Sequence, residues 1–88
     1  MFKKYFGSEW QIAYEIAKLE SNLNPKAVSR TNDIGLMQIH CPIWCKFFKV
    51  SPEDLKDPET NIRLAKVIRD RSGWTAWTTY TRYILGRK

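Results

Sequence analysis

The N-terminal part of the chain carries an apolar stripe with the spacing of an α-helix. Ala13 and Ile16 lie three positions apart, and further apolar residues fill neighbouring positions of the same face. Ser8 precedes this stripe and is followed three positions later by Gln11, which is the pattern of a capping box at a helix N-terminus. These features predict a helix over residues 8–21.

A turn-rich segment separates this helix from the next one. Residues 24–33 are mostly polar and contain Pro25, which predicts turns, and Gly35–Ile39 is expected to form a short extended piece. Pro42 opens a run that predicts a short helix over Cys41–Phe48. The strand content is too small for a sheet protein.

Two prolines mark the start of a second long helix. Ser51 and Pro52 supply an N-cap and a first helical residue, with acidic residues in the first turn. Asp57 and Pro58 form a second pair of this kind, an N-cap followed by a proline at the first helical position. The helix is expected to end before Gly73. The apolar residues expected to face inward are Ile62, Ala65 and Ile68.

Aromatic residues recur every third position near the C-terminus. Trp74, Trp77 and Tyr80 would lie on one face of a last helix, which is expected from residue 75 to about residue 84. Such a stripe usually packs into the core, and ligand binding is the alternative. With four predicted helices and no predicted sheet, the fold class is mostly α.

Length and composition indicate one small folded domain. The chain has 88 residues, of which 43% are hydrophobic and 14% are aromatic. This is enough for a compact core, although a chain of this size buries only ~60% of its unfolded surface. We therefore expect a single domain over residues 1–88. No apolar stretch approaches the roughly 18 residues of a membrane span, and the N-terminal residues lack the apolar region of a secretory leader.

The net charge is +6, from 15 Lys and Arg against nine Asp and Glu. A positive charge favours polyanionic partners such as nucleic acid, an anionic membrane or an anionic cell-wall polymer. The basic residues are dispersed along the chain without a clustered arm. This favours a solvated basic surface and argues against a nucleic-acid binder.

Both cysteines lie close to the one histidine. His40, Cys41 and Cys45 fall within six residues, whereas a structural zinc site needs four ligands in two spaced pairs. No metal site is therefore expected. We expect two free thiols, because a bridge that closes so short a loop would restrict the unfolded chain little.

One carboxylate interrupts the apolar stripe of the first helix. Glu20 lies seven positions after Ala13 and four after Ile16, so it continues the stripe and faces the interior. A structural interpretation is that Glu20 caps a neighbouring helix or pairs with an arginine. A functional one is that burial penalises its charged form and raises its pKa, which leaves a proton available for general-acid catalysis. Periodicity alone does not choose between them.

Two ordered motifs favour the functional interpretation. Residues 20–29 read Glu-Ser-Asn-Leu-Asn-Pro-Lys-Ala-Val-Ser, and residues 33–39 read Asp-Ile-Gly-Leu-Met-Gln-Ile. Together they resemble the signature of the soluble lytic transglycosylases, the lysozyme-like enzymes that cleave peptidoglycan. Residues 55–62 are similar to the family's stretch before the helix that backs the active site. The resemblance covers roughly residues 10–83.

Within this family, some features are typical of particular members. The form with Asp33 two positions before Gly35, and with Trp44 soon after, is most similar to the small members that accompany secretion systems and to phage relatives. The resemblance implies a lysozyme-like fold with a very small β-hairpin region around the Gly-Leu-Met-Gln motif. It also implies that Glu20 is the catalytic acid.

The resemblance suggests roles for further motif residues, each with a simpler alternative. Ser29 is expected near the reacting N-acetylmuramic acid, or to be a turn hydroxyl bonded to its own backbone. Gly35 would allow a close approach of the sugar or a positive φ, or be an ordinary turn glycine. Gln38 can bond to sugar hydroxyls or N-acetyl groups. Met37 is expected to lie under the sugar as an apolar wall, or to fill the core.

The C-terminal motif departs from the family pattern. The family usually carries Tyr-Asn-Ala-Gly, in which the tyrosine hydroxyl reaches toward the catalytic carboxyl. This chain reads Tyr-Thr-Arg-Tyr at residues 80–83. Tyr80 matches the family tyrosine and is expected at the substrate site, with Tyr83 as the substitute.

The activity implied by the resemblance is that of a muramidase, which cleaves the β-1,4 bond between N-acetylmuramic acid and N-acetylglucosamine without a metal or organic cofactor. In a lytic transglycosylase, Glu20 acts first as acid and then as base, and the 6-hydroxyl of the muramic acid attacks to form a 1,6-anhydro end. A hydrolytic lysozyme needs a second carboxylate, for which Asp33 is the candidate. The simpler role of Asp33 is to brace the turn before Gly35.

The expected partners are the glycan strands of peptidoglycan and the anionic cell wall that the positive charge attracts. We expect a monomer that acts on the bacterial wall, in the periplasm or outside the cell. The lack of a leader favours a phage lysis or tail enzyme, or a domain cut from a longer secreted protein. The alternative is a catalytically inactive module that binds glycan or serves as a structural piece of a virion.

Overall fold

The computed structural model describes residues 1–86, and helices make up most of it. The α-helices are α1 (Phe2–Phe6), α2 (Trp10–Ser21), α3 (Cys41–Phe48) and α4 (Pro58–Ser72), and the strands are β1 (Asp33–Ile34) and β2 (Ile39–His40). The 3₁₀ turns are Gly7–Glu9, Asp54–Lys56 and Trp74–Ala76, and a π-helical segment spans Tyr80–Leu85. The predicted mostly α fold class with a very small β-hairpin is therefore confirmed.

Helix α2 carries Glu20 near its C-terminal end. It begins at Trp10, later than predicted, because Ser8 lies in the preceding 3₁₀ turn. The predicted capping box is wrong, since no side chain of the described residues caps this helix start. At the other end Asn22 adopts the left-handed conformation with a φ of 54°, and its N–H donates to the carbonyl oxygen of Lys18. The helix thus ends where the sequence predicts.

Helix α1 has no counterpart in the sequence-based prediction. It is only five residues long, too short to be stable by itself. Its last residue, Phe6, is buried and stacks on Trp74, with 5.3 Å between the ring centroids. A contact with the far end of the chain therefore accounts for a helix that its own sequence does not specify.

The hairpin places Asp33 opposite His40 in antiparallel register. The four residues between the strands form a turn, so the extended piece predicted over Gly35–Ile39 is wrong except at its last residue. Positive φ values of 81° at Gly35 and 50° at Gln38 reverse the chain direction. The two strand residues with titratable side chains consequently lie side by side.

Helix α3 spans Cys41–Phe48, as predicted, with Pro42 in its first turn. The prediction of two free thiols is wrong, because Cys41 and Cys45 form a disulfide. The two residues are four positions apart on one helical turn, and their Cα atoms are 4.7 Å apart, which is within bridging range. The disulfide therefore bridges the first turn of α3.

Helix α4 begins at the second of the two predicted starts. Asp57 is its N-cap and accepts a hydrogen bond of 2.9 Å from the N–H of Thr60. The first start, at Ser51, opens only a turn and the 3₁₀ segment Asp54–Lys56. The helix ends before Gly73, as predicted.

In place of the one regular helix predicted over residues 75–84, the C-terminal region forms a 3₁₀ turn, a break at Trp77 and a helical stretch over residues 78–85. The 3₁₀ turn is followed by Trp77 in an extended conformation, with a ψ of 116°, and then by the π-helical segment. The indole N–H of Trp77 donates to the carbonyl oxygen of Met37 at 2.7 Å, so a tertiary contact overrides the local helical preference. Trp74 and Trp77 are 9% and 5% exposed, which places both in the core.

The hydrophobic core draws on α2, the hairpin and α4. Its fully buried apolar residues are Ala13, Ile16, Ala17, Met37, Leu55, Ile62 and Ala65. The inward stripes predicted for the two long helices are therefore present. Within residues 1–86, no helix combines the length and apolar character that crossing a membrane requires.

Candidate active site

A cleft of about 150 Å³ lies between the end of α2, the hairpin and the C-terminal region. Its lining residues are Glu20, Asp33, Gln38, Ile39, His40, Trp44, Ile68, Ala76, Trp77 and Thr78. Three residues singled out from the sequence, Glu20, Asp33 and Gln38, share this cleft. The other singled-out residues lie around it, as described below.

Glu20 is half-buried at the C-terminal end of α2. Its Oε2 accepts a hydrogen bond of 2.6 Å from the hydroxyl of Thr79. Burial raises the pKa of Glu20 above its ordinary value; the hydrogen bond from Thr79 opposes this shift, and the negative charge of Asp33 adds to it. Within residues 1–86 no ion pair joins Glu20 to a basic residue, so the arginine-pairing interpretation has no support. The carboxyl keeps its proton to a higher pH than an exposed glutamate does.

Apolar walls explain the desolvation of Glu20. Trp77 and Ile68 line the cleft and are almost fully buried. Trp44, which is half-buried, stacks on Phe48 with 5.6 Å between the ring centroids. These side chains replace water around the carboxyl with apolar surface, which disfavours its charged form.

Asp33 has the opposite electrostatic environment. Its carboxylate accepts hydrogen bonds from Ser29 Oγ at 2.7 Å and from Thr31 Oγ1 at 2.5 Å, and it pairs with His40 Nδ1 at 2.9 Å. Burial by itself would raise the pKa of Asp33, but the hydrogen bonds from these three side chains outweigh it and leave the pKa below its ordinary value. Asp33 is therefore ionised at a pH where Glu20 still holds its proton.

Ser29 contacts Asp33 and does not line the cleft. Its hydroxyl oxygen also accepts the backbone N–H groups of Asp33, at 3.0 Å, and of Thr31, at 3.3 Å. This is the geometry of a turn hydroxyl bonded to neighbouring backbone, which was the simpler expectation. The structure brings Ser29 to the site as a partner of the second carboxyl.

The turn between the strands positions Gln38 at the cleft. Gln38 Nε2 donates to the carbonyl oxygens of Ala27, at 3.2 Å, and Gly35, at 3.0 Å. No hydrogen bond from residues 1–86 to its amide oxygen is found, so that atom is the one that can accept from a ligand. Met37 is fully buried in the core, so its side chain is not a wall of the cleft.

Asn61 is a structural residue of the site that the sequence analysis missed. It is fully buried on α4, and its Oδ1 accepts the N–H of Met37 at 2.9 Å. Its Nδ2 donates to the carbonyl oxygens of Ile34 and Leu55, both at 2.9 Å. The signal was available: Asn61 precedes the buried residues Leu64, Ala65 and Ile68 at helical spacing, the same argument that identified Glu20.

The hydroxyl that reaches Glu20 belongs to Thr79, and the expectation for Tyr80 is wrong in this respect. Tyr80 instead stacks on Trp74, with 6.0 Å between the ring centroids. Tyr83 lies in the π-helical segment and is 51% exposed. Neither Thr79 nor His40 had a sequence signal, because their roles depend on contacts with distant residues.

Within the described residues 1–86, no group of three or more His, Cys, Asp or Glu side chains could hold a metal ion. Cys41 and Cys45 are engaged with each other, and His40 with Asp33. The polar side chains that line the cleft include two carboxyl groups, one amide and the imidazole of His40.

Known proteins match most of the chain. Residues 2–71 match the family model described as the transglycosylase SLT domain. The chain is also similar to lysozyme C of Dromaius novaehollandiae, with 29% identity over an alignment that covers 98% of this chain and 67% of the lysozyme. No solved structure is significantly similar to the chain.

Proposed function

The chain belongs to the transglycosylase SLT domain family, and from this premise we propose that it is a lytic transglycosylase with Glu20 as catalytic acid and base. The family match and the similarity to a lysozyme support a peptidoglycan-degrading glycosidase. The bond proposed for cleavage is the β-1,4 linkage between N-acetylmuramic acid and N-acetylglucosamine. One observation carries the proposal: the half-buried Glu20 carboxyl lines a cleft and has a raised pKa.

In the first step, protonated Glu20 gives its proton to the glycosidic oxygen, and the bond from this oxygen to the anomeric carbon of the muramic acid breaks. Positive charge develops on the sugar ring. Asp33, kept ionised by its three hydrogen-bond partners, lies in the same cleft and stabilises that charge.

In the second step, the Glu20 carboxylate takes the proton of the 6-hydroxyl of the same muramic acid. The oxygen of that hydroxyl attacks the anomeric carbon and closes the 1,6-anhydro ring. Glu20 regains its proton and no water is consumed. One carboxyl therefore suffices for the proton transfers, and Asp33 serves by its charge alone.

The remaining motif residues are proposed to support this chemistry in different ways. The amide oxygen of Gln38 accepts a hydrogen bond from a sugar hydroxyl or an N-acetyl N–H. Ser29 holds the second carboxyl, and Gly35 permits the turn that presents Gln38. Met37 and Tyr80 pack beneath the site and keep its walls in place.

The test is digestion of purified peptidoglycan followed by mass analysis of the soluble fragments. Anhydro-muropeptides, each lighter than the hydrolytic product by one water, are the expected products. Glu20→Gln should remain folded and lose ~10²–10⁴ in rate, because Gln cannot donate the proton. Glu15→Gln, on the same helix but outside the cleft, is the matched control and should keep its activity. An active Glu20→Gln protein would overturn the assignment of the acid.

Hydrolysis by a lysozyme mechanism is the second candidate, and the opposite pKa shifts of Glu20 and Asp33 in one cleft favour it. In this reaction Asp33 would form the second catalytic carboxylate, and water would replace the 6-hydroxyl. The products would then carry reducing ends, and Asp33→Asn would be folded but inactive. Under transglycosylation, Asp33→Asn should lower the rate less than Glu20→Gln does and keep part of the activity, because Asp33 takes no part in the proton transfers.

The proposed partners are the glycan strands of the cell wall, bound by a monomer. The family implies action on the wall, in the periplasm or outside the cell. The disulfide between Cys41 and Cys45 fits an oxidising compartment of this kind. Wild-type protein that binds walls but releases no fragments would instead indicate an inactive glycan-binding or virion module.

A further inference from the structure

The region after the family match completes the cleft. The match ends at residue 71, yet Ala76, Trp77 and Thr78 line the cleft. The hydroxyl bonded to Glu20 comes from Thr79, which lies 59 positions away along the chain. The contact to the central carboxyl is thus made by a part of the chain that the family model does not cover.

Thr79 is held in place from both sides. On one side, Trp77 is fixed by its indole hydrogen bond to the carbonyl oxygen of Met37, at 2.7 Å. On the other, the N–H of Tyr80 donates to the carbonyl oxygen of Trp77 at 3.0 Å, and the Tyr80 ring stacks on Trp74. The hydroxyl of Thr79 therefore reaches Glu20 from an anchored piece of backbone.

We propose that Thr79 is a positioning residue that holds Oε2 of Glu20, so that Oε1 carries the acid proton and is presented to the glycosidic oxygen. The inference rests on the proposed function for the cleavage step. Its chemical basis is that a hydroxyl donating to Oε2 occupies that oxygen as an acceptor, which leaves the other oxygen for the proton. A carboxyl fixed in this way loses less orientation freedom in the reaction.

Thr79 also lowers the pKa of Glu20. The titratable groups that share the cleft with Glu20 are Asp33 on β1 and His40 on β2, while α3 and α4 contribute Trp44 and Ile68. Burial and the charge of Asp33 raise the pKa of Glu20, and the hydrogen bond from Thr79 works against them. Without that hydrogen bond the pKa of Glu20 should rise further, which makes the protonated carboxyl a weaker acid and a slower proton donor.

The experiment compares Thr79→Val, which is nearly isosteric but lacks the hydroxyl, with Thr79→Ser, which keeps it. Thr81→Val is the matched control, because Thr81 is exposed on the same segment. Thermal melts first establish that each variant is folded. The carboxyl of Glu20 is then titrated by NMR on protein labelled with ¹³C in glutamate, with Glu20→Gln used to assign the signal.

Thr79→Val should raise the titration midpoint of Glu20, while Thr79→Ser and Thr81→Val should leave it near the wild-type value. On peptidoglycan, kcat of Thr79→Val should fall roughly 10-fold with little change in KM. The loss of kcat/KM at high pH, where Glu20 deprotonates, should move to higher pH. A residue that only maintains the fold would lower kcat without shifting the pH at which kcat/KM falls.

An unchanged titration midpoint of Glu20 in folded Thr79→Val overturns the proposal. So does a loss of kcat with no shift in the pH at which kcat/KM falls. A Thr79→Ser protein as impaired as Thr79→Val also overturns it. If the wild-type protein cleaves no peptidoglycan, the proposed function fails. The NMR midpoints still decide whether Thr79 holds the Glu20 carboxyl, since they require no substrate. The two failures are therefore distinguishable.

Discussion

Asn61 occupies the space into which a side chain on Gly35 would project. A Cβ atom on Gly35 would lie 2.2 Å from Nδ2 of Asn61 and 2.4 Å from the carbonyl oxygen of Leu55. The Asn61 amide in turn bonds to the backbone of Ile34, Leu55 and Met37. The turn that carries Gln38 is thereby fixed to the start of α4, and the close approach at Gly35 that the structure shows is to Asn61 and Leu55.

Gly35→Ala should destabilise the protein by at least about 2 kcal/mol, because a β-carbon meets both a left-handed backbone and two atoms closer than van der Waals contact. Gly7→Ala is the matched control: its φ is also positive, at 55°, but nothing lies within 4 Å of the added Cβ. Gly7→Ala should lower the free energy of unfolding only through backbone strain. Urea denaturation of both variants measures the difference, and equal losses would contradict the role assigned to Asn61.

Asn61→Ala should lower the free energy of unfolding by about 3 kcal/mol or more, because it leaves one buried N–H and two buried carbonyl groups unpaired at roughly 1–3 kcal/mol each. The expected fall in Tm exceeds about 10 °C for a domain of this size. Asn24→Ala removes an exposed amide that accepts the N–H of Lys26, and it should cost far less. Similar melting of the two variants would refute the prediction.

Glu20→Gln should make the protein more stable than the wild type as the pH rises. The pKa of Glu20 is raised in the folded state by burial, so the folded protein binds this proton more tightly than the unfolded chain does. The resulting stability is fully present below the unfolded pKa and is lost as the pH rises through the folded pKa. Melts from about pH 4 to about pH 8 should show a Tm difference that grows with pH. A difference independent of pH would exclude a raised pKa.

Reduction of the Cys41–Cys45 disulfide should lower the stability only modestly. The cross-linked residues are four positions apart, and closing such a short loop removes at most about 2 kcal/mol of entropy from the unfolded chain. Thiol titration of native protein should find no free thiol in the absence of reductant. Reductant should lower the Tm of the wild type but not of a Cys41→Ser/Cys45→Ser double variant. Two reactive thiols in the untreated protein would contradict the disulfide.

Salt should weaken binding to whole cell walls more than it slows cleavage of a short uncharged oligosaccharide. The net charge of +6 acts on an anionic wall over long distances, and exposed charges are screened beyond ~10 Å at 0.1 M salt. Wall sedimentation and oligosaccharide turnover over a salt series give the two dependences. An equal decline of both would mean that basic residues belong to the site itself.

Local sequence patterns predicted several helix boundaries correctly. The C-terminal ends of α2 and α4 were predicted correctly, as was the whole of α3. The signals were apolar spacing, an asparagine that adopts the left-handed conformation, and prolines at helix starts. Two of the wrong predictions, the capping box at Ser8 and the free thiols of Cys41 and Cys45, concern neighbouring residues. The wrong C-terminal helix lies where a distant contact decides the outcome. The C-terminal helix gives way to a 3₁₀ turn and a π-helical segment because Trp77 bonds to Met37, 40 positions away.

The sequence by itself determined the mostly α class and the presence of Glu20 on an inward helical face, because helical periodicity is a property of neighbouring residues. It also indicated the family, because both motifs are continuous in the chain. Only the tertiary structure decided that Thr79 reaches Glu20, that Asp33 is held ionised beside it, and that Asn61 secures the turn. The hydrogen bonds of Thr79 and Asn61 join residues 59 and 24 positions apart, so they exist only once the helices pack together.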